Sequence, residues 1–218
     1  MSADAAHLWG RDFSRGRVAV NLLPPSCVNG LRAMISLFRR NPLQKAAELA
    51  YCRIVEQARQ SGFFTELGVP DTIDGRFELI CLHAFLFLHR LKGEPAPASE
   101  FGQRFFDAMF ADFDRSLREM GTGDLSVGRE VKRMAQAFYG RIEAYEDGLT
   151  GDDGVLKRAF ARNLFGTATA EERALDAMAQ YVRGEAGRLS KQPVARLLTG
   201  EVSFGVPQLL RSSQAVGA

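Results

Sequence analysis

The sequence predicts an all-α protein: a compact bundle of about six to seven helices around one central, buried, apolar helix. Three observations support this class. Apolar residues recur at intervals of three and four along most of the chain, the period of an amphipathic helix. Turns containing glycine and proline separate these stretches, and no segment shows the strict alternation of a half-buried strand. With 218 residues, 46% of them hydrophobic, the chain can bury one sizeable core.

The composition excludes several classes of protein. The net charge of +2 is too small to indicate nucleic-acid binding by itself. No stretch approaches the roughly 18 apolar residues that cross a bilayer, and the N-terminus lacks the pattern of a secretory signal. Cys27, Cys52 and Cys81 form no Cys-x-x-Cys pair, so neither a disulfide framework nor a zinc site is expected. We therefore expect a cytoplasmic protein without a metal or cofactor.

The chain divides into three regions by its patterning. Residues 1–33 show no sustained period, which predicts a flexible N-terminal extension; alternatively, translation begins at Met34. The helical domain is expected over residues 34–190. Residues 191–218 are expected to form a partly disordered tail, with at most one short helix after Pro193.

Three helices are predicted in the first half of the domain. The first begins at Asn41, a good N-cap followed by a proline at the first helical position, and it ends at residues 61–62. The second, about Ile73 to Lys92, is apolar nearly all round, which predicts the buried central helix. The third runs from about Ser99 to Met120 and carries a stripe of phenylalanine and methionine.

Three further helices are predicted in the second half. The fourth begins at Ser126, which is a plausible N-cap. Asp152 or Asp153 caps a shorter fifth helix that continues through Phe165. A capping box at residues 169–172 opens the sixth.

The loop of residues 123–128 has the glycine spacing of a phosphate-binding P-loop. A P-loop also needs a strand before the first glycine and a lysine followed by serine or threonine after the second. Here a helix precedes the loop, and Arg129 and Glu130 follow it. A corner between two helices that needs glycine conformations is the favoured interpretation.

Two other sets of residues invite a catalytic or metal-binding interpretation. Asp107, Asp112 and Asp114 could suggest the magnesium–diphosphate site of a helical isoprenoid synthase. Only the first and third share a helix face, and no Asp-Asp-x-x-Asp run exists, so a solvated or salt-bridged face is favoured. His83 and His89 are too far apart for one helical turn, and His83 is expected to be a hydrogen-bonded core histidine.

The outside of the fourth helix is predicted to be basic, with Arg129, Lys132, Arg133 and Arg141. Two interpretations remain open. The face is either a solubilising surface paired with the acidic residues of the third helix, or a docking face for acidic protein, ribosomal RNA or anionic lipid. The phenylalanines and methionines of the third helix are likewise either core or the rim of a groove for apolar helices.

Several segments between Asn41 and Leu149 resemble the ubiquinol–cytochrome c chaperone family, the assembly factors of the cytochrome bc1 complex. The loop before the fourth helix and the Phe-Tyr-Gly-Arg segment are the most specific. The matching segments are Gly68-Val69-Pro70-Asp71-Thr72, Gly75-Arg76-Phe77-Glu78, Leu82-His83, Phe106-Asp107, Met109-Phe110, Arg118-Glu119-Met120-Gly121-Thr122-Gly123-Asp124-Leu125-Ser126-Val127-Gly128, Met134-Ala135 and Ala137-Phe138-Tyr139-Gly140-Arg141.

The resemblance implies an all-helical chaperone that acts early in bc1 assembly by binding newly made cytochrome b, without catalysis. Mitochondrial members of the family sit near the ribosomal tunnel exit and work with a small partner protein. The ribosome and a small partner protein are therefore implied partners here. This chain resembles a bacterial, cytoplasmic member, for which peripheral contact with the inner membrane is a further expectation.

Two other hypotheses compete with this one. The first is an enzyme acting on isoprenoid or quinone-like substrates, motivated by the aspartates of the third helix. The second is a ribosome or nucleic-acid adaptor that uses the basic residues of the fourth helix. For Phe138 plain core burial, and for the glycines plain turn geometry, remain open alternatives to binding. The candidate client- or partner-binding residues are Gly121, Gly123, Asp124, Leu125, Gly128, Arg129, Lys132, Arg133, Phe138, Tyr139 and Arg141.

Overall fold

Six long helices and two single-turn helices make up the described residues, 41–166 and 169–207, of a computed structural model, and no strand occurs within them. The all-α class is thereby confirmed. The predicted extension over residues 1–33, the alternative start at Met34 and the end of the predicted tail, residues 208–218, lie outside the described residues. The helices are α1 (Pro42–Ala58), α2 (Gly62–Thr65), α3 (Ile73–Leu91), α4 (Ala98–Glu119), α5 (Asp124–Thr150), α6 (Asp153–Asn163), α7 (Glu172–Ser190) and α8 (Val194–Leu197).

Helix α3 is the predicted central helix, and it packs against α1, α4, α5 and α7. One side of α3 contributes Leu82, Phe85 and Leu86 to a core cluster shared with α2, α5, α6 and α7. The opposite side contributes Phe87 and Leu88 to a second cluster shared with α1, α4 and α5. Because both sides of α3 are covered, its sequence must be apolar nearly all round.

Local capping explains where two of the helices begin. The side chain of Asn41 accepts a hydrogen bond from the amide of Leu43 at 3.0 Å, which confirms the predicted start of α1. Asp152 accepts from the amide of Val155 at 2.9 Å, so Asp152 rather than Asp153 is the cap of α6. Helix α6 ends at Asn163, two residues before the predicted Phe165.

Two predicted helix starts are wrong. Helix α5 begins at Asp124, because the carbonyl of Gly123 already accepts from the amide of Ser126 at 2.8 Å, and Ser126 lies inside the first turn. Helix α7 begins at Glu172, because the carbonyl of Glu171 accepts the first bond, from Ala174 at 2.9 Å. The capping box over residues 169–172 is therefore not formed.

The turn before α3 explains one of the segments that carry the family resemblance. Thr72 caps the helix by accepting from the amide of Gly75 at 3.1 Å. A Cβ at Gly75 would overlap the carbonyl oxygen of Pro70, so only glycine fits there. This segment serves to start the central helix.

Two features near the ends of the domain have no counterpart in the predicted helices. The first helix ends at Ala58, earlier than predicted, and the single turn α2 places Phe63 in the core with no exposed surface. After α8, residues 201–207 continue without helical structure and pack back onto the bundle. Among the described residues, no helix has the length and apolar content that a bilayer crossing requires.

Candidate functional site

Two of the segments that carry the resemblance meet inside the bundle as an ion pair. The Nε of Arg141 on α5 donates to Oε2 of Glu78 on α3 at 2.5 Å, and Nη2 donates to Oε1. The guanidinium also donates to the carbonyl of Ala137 at 2.9 Å and lies 5.7 Å from the centroid of the Phe77 ring. Burial raises the pKa of Glu78, and the hydrogen bond and charge of Arg141 oppose that rise. The pair fastens α3 to α5.

This arrangement corrects the position predicted for Arg141. Its side chain is only 18% exposed and does not belong to the basic outside of the fourth helix. It lies inside because the buried carboxylate of Glu78 needs a cationic partner. A role for Arg141 in client binding is a prediction that this position does not favour.

Phe138 and Tyr139, adjacent in sequence, have opposite surroundings. Phe138 is fully buried, with its ring centroid 6.0 Å from that of Phe106 and 6.3 Å from that of Phe110. For Phe138, the structure therefore supports the alternative of core burial. Tyr139 is 38% exposed, and partial burial of its ring, whose centroid lies 5.8 Å from that of Phe106, raises the pKa of its hydroxyl.

The corner between α4 and α5 is held by local bonds. Gly121 has a φ of +86°, a conformation that favours glycine, and it lets the amide of Thr122 reach the carbonyl of Leu117 at 3.0 Å. Arg118 donates to Asp124 at 2.5 Å across the corner. Because the carboxylate of Asp124 occupies the first turn of α5 and a helix precedes the loop, the structure has the predicted helix–helix corner rather than a P-loop.

The remaining candidates lie together on the solvent side of α5. Leu125 is fully exposed, and a Cβ at Gly128 or Gly140 would meet no neighbour within 4 Å. The side chain of Leu125 and the open space beside the two glycines therefore make no contact within the described part of the bundle. We call this surface the outer face of α5, and its residues, all exposed, are Leu125, Gly128, Arg129, Lys132, Arg133, Gln136, Tyr139 and Gly140. The candidate list from the sequence missed Gln136 and Gly140, although helical spacing from Leu125 could have found them.

The charge of this outer face is positive and little compensated. Arg133 pairs with Glu130 of the same helix at 2.8 Å, and Arg129 approaches Glu130 at 4.0 Å. Lys132 has no ion pair within the described part of the chain. Ion pairs between these three cations and the acidic residues of α4, which the sequence predicted, are not seen in the described residues.

The aspartates of α4 do not converge on a common point. Each is held by a different partner, and no group of His, Cys, Asp or Glu in the described ranges is placed to hold a metal ion. Surface cavities of about 200 and 340 Å³ lie elsewhere, lined by residues of α5 and α6 and by residues of α3 and α7. The pairings are Tyr51 and Arg115 with Asp112, Arg118 with Asp114, and Gln103 with Asp107.

His83 is a hydrogen-bonded core histidine, as predicted. Its Nδ1 lies 2.7 Å from the carbonyl oxygen of Leu79, and its Nε2 lies 2.8 Å from the hydroxyl of Tyr181. Because a carbonyl only accepts, Nδ1 carries the proton and Nε2 accepts from the tyrosine. The tyrosine oxygen in turn accepts from Nε2 of Gln57 at 2.9 Å. Burial lowers the pKa of His83 to about 4. No pattern in the sequence indicates that Tyr181 contacts this histidine or that Gln57 contacts Tyr181.

Comparison with known proteins agrees with the resemblance found in the sequence. A family model described as Ubiquinol-cytochrome C chaperone matches residues 65–204. Ubiquinol-cytochrome-c reductase complex assembly factor 1 of Xenopus laevis is 29% identical over 172 residues, which are 78% of this chain and 86% of that protein. The Mus musculus protein of the same name is 30% identical over 160 residues, 73% of this chain and 54% of that protein.

More distant and structural relatives give the same result. Protein CBP3, mitochondrial, of Saccharomyces cerevisiae is 27% identical over 149 residues, 66% of this chain and 44% of that protein. The chain thus spans about half the length of the mouse and yeast relatives. The crystal structure of the Cbp3 homolog from Brucella abortus superposes with a TM-score of 0.68 at 35% identity, covering 75% of this chain and 91% of that one. Since the family model spans well over half of its length, this chain belongs to the ubiquinol-cytochrome C chaperone family.

Proposed function

We propose that this chain is an assembly chaperone that binds newly made cytochrome b and supports assembly of the ubiquinol–cytochrome c reductase (bc1) complex, without catalysing a reaction. Membership of the chaperone family and the names of the relatives, which are assembly factors of this complex, support the proposal. The observation that carries it is the outer face of α5, which combines the exposed side chain of Leu125 and the half-exposed ring of Tyr139 with little-compensated positive charge.

The shape of this face suits an apolar helix of an unfinished membrane subunit. Leu125 and Tyr139 are separated along α5 by about 21 Å, or nearly four helical turns. Burying a fully exposed leucine contributes about 1.5–3 kcal/mol, and a half-exposed tyrosine adds ring surface together with a hydroxyl for hydrogen bonding. The glycines of this face, Gly128 and Gly140, let a partner backbone approach α5 closely.

The charge of the face would orient the client. Arg129, Lys132 and Arg133 lie between the two apolar side chains, and within the described residues their ion pairs are formed with Glu130 alone. Such a positive patch attracts an acidic segment over about 8–10 Å and disfavours a basic one. We infer a client surface in which apolar residues flank acidic ones.

Complementation of a strain that lacks the gene tests both the function and the face. The double variant Leu125→Ser/Tyr139→Ala should fold but fail to restore bc1 activity, spectroscopic cytochrome b and co-purification of cytochrome b. Leu49→Ser is the matched control, because Leu49 is a 43% exposed leucine on α1, and it should restore all three.

The outcomes separate the two parts of the proposal. Normal cytochrome b and bc1 activity in the deletion strain would reject the chaperone function. Full complementation by the double variant, with a defect in the deletion strain, would reject the outer face of α5 as the client site while leaving the function in place.

A ribosome or nucleic-acid adaptor is the second candidate function, and the exposed cations Arg129, Lys132 and Arg133 favour it. These contacts would also suit the chaperone function. In that case the chain would bind cytoplasmic ribosomes, act with a small partner protein, and lie at the periphery of the inner membrane. Charge reversal of Lys132 and Arg133 should abolish co-sedimentation with ribosomes if they mediate this contact. Co-sedimentation that does not weaken between low and physiological salt would contradict it.

A further inference from the structure

Residues 201–207 lie on the bundle in a way that is unusual for part of a helical fold. They have no helical structure, and within the described residues their only backbone–backbone hydrogen bond runs from the amide of Glu201 to the carbonyl of Arg196 at 3.2 Å. Residues 202–207 are therefore held by side chains alone. The position of the segment therefore depends on these side-chain contacts and on the packing of its own side chains.

Three side chains of the bundle bind the backbone of this segment. Gln192 donates to the carbonyl of Ser203 at 2.7 Å and accepts from its amide at 3.1 Å. Glu185 of α7 accepts from the amide of Gly205 at 2.9 Å, and Gln57 of α1 donates to its carbonyl at 2.7 Å. Alternate residues thus use both their N–H and C=O groups, which is how an extended chain is bound along one edge.

The side chains of the segment make contacts that depend on sequence, unlike its backbone hydrogen bonds. Val202 and Phe204 pack against both core clusters, and the ring of Phe204 stands edge-on to that of His83 with centroids 5.3 Å apart. At Gly205 a Cβ would lie 2.6 Å from Oε1 of Glu185 and 3.0 Å from the guanidinium of Arg188. A larger residue at position 205 would displace the carboxylate of Glu185 that binds the segment, so the site favours an aromatic residue followed by glycine.

We propose that the groove bounded by Gln57, His83, Glu185 and Gln192 is a binding site for an extended partner segment that carries an aromatic residue followed by glycine, and that residues 201–207 are its intramolecular occupant. Backbone hydrogen bonds are independent of sequence, so a foreign segment can reproduce all four. This site is separate from the outer face of α5 and does not depend on the function proposed above.

Residues 201–207 are covalently joined to the groove, and this link determines how replacement by an added peptide would be observed. A segment joined to its own groove competes at an effective concentration in the millimolar range. An added peptide therefore binds weakly to the unchanged chain and more tightly once the internal segment is weakened. Replacing Phe204 removes the ring that contacts His83 while leaving every groove side chain in place.

The experiment uses the full chain and a labelled peptide with the sequence of residues 201–207, Glu-Val-Ser-Phe-Gly-Val-Pro. In fluorescence polarisation, the Phe204→Ser variant should bind this peptide at least tenfold more tightly than the wild-type chain does. Peptides with alanine in place of the phenylalanine or the glycine should bind that variant at least tenfold more weakly. Val206→Ser is the matched control, because Val206 is 64% exposed, and it should behave as the wild type.

Equal affinity of the wild-type chain and a folded Phe204→Ser variant would overturn the proposal, and so would equal affinity for the three peptides. If circular dichroism shows that Phe204→Ser does not fold, the wild-type chain is tested with millimolar peptide carrying a photoreactive phenylalanine. Crosslinks within residues 172–192 support the site, and their absence rejects it.

Discussion

Helices α3 and α5 use their sequences in opposite ways. Of the 19 residues of α3, 12 are buried, whereas only five of the 27 residues of α5 are buried. Helix α3 lies between two core clusters and has almost no surface left for a partner. Helix α5 lies against the bundle along one side, and its other side is exposed to solvent. Helix α5, the longest of the described helices, thus buries a small fraction of its residues in the core.

The contrast continues within α5 itself. Phe138 and Arg141 face inward and hold α5 to α4 and α3. Leu125, Lys132 and Tyr139 face solvent. The side chains of α5 therefore divide into a structural set and a candidate binding set, and substitutions of the buried set should act mainly on stability.

The largest expected effect separates neighbouring residues. Phe138→Ala should lower the free energy of unfolding by about 4 kcal/mol, because a buried ring leaves a cavity between α4 and α5. Tyr139→Ala should lower it by less than about 1 kcal/mol. Urea denaturation of both variants measures the difference, and equal losses would contradict the opposite orientations.

Breaking the buried ion pair should have the next largest effect. Arg141→Met should destabilise the protein by about 3 kcal/mol, because the carboxyl group of Glu78 then stays buried without its partner. The double variant Glu78→Leu/Arg141→Met is the control, since it removes both charges together and should be the more stable of the two. A double variant that unfolds at lower urea than Arg141→Met would show that the pair itself, rather than the unpaired carboxyl group, determines the stability.

Acidification tests the polar centre of α3. The pKa of His83 is lowered from 6.5 to about 4 in the folded chain, so between these pH values the unfolded chain binds the extra proton. Stability is therefore complete above pH 6.5 and falls as the pH decreases towards 4. We expect a loss of about 2 kcal/mol at pH 5, because a tenfold change in proton affinity corresponds to about 1.4 kcal/mol.

Urea denaturation at pH 7 and pH 5 measures this loss. His83→Leu is the control, because the variant has nothing to protonate at this position and should lose about 2 kcal/mol less than the wild type on acidification. The same pH dependence in both proteins would exclude His83 as its origin.

The smallest effect has the opposite sign. Gly128→Ala and Gly140→Ala should each raise the free energy of unfolding by about 0.5–1 kcal/mol, because alanine is the better helix former and its Cβ meets no neighbour. Gly75→Ala is the contrasting variant and should destabilise through overlap with Pro70. If a partner packs closely on α5, the two stabilised variants should nonetheless bind cytochrome b less well. Thermal unfolding and co-purification measure the two effects.

Predictions from the sequence succeeded where the information is local. The caps Asn41 and Asp152 act within three residues of themselves, and the apolar pattern of α3 is a property of one segment. Predictions of helix starts at Ser126 and Thr169 failed because another backbone carbonyl nearby accepted the first helical bond instead. Capping preferences differ by only about 1 kcal/mol, so a neighbouring residue readily takes the position.

By itself, the sequence determined the all-α class, the central helix and the family, because helical period, capping and short motifs are encoded within single segments. The tertiary structure alone decided which residues of those motifs are buried and which are free. Glu78 and Arg141 are 63 residues apart, and His83 and Tyr181 are 98 apart, so no local pattern can pair them. The groove under residues 201–207 also depends on such long-range contacts, since its walls come from α1, α3, α7 and the turn that follows α7. A binding surface is what remains after these pairings have formed, and it is visible only once the chain has folded.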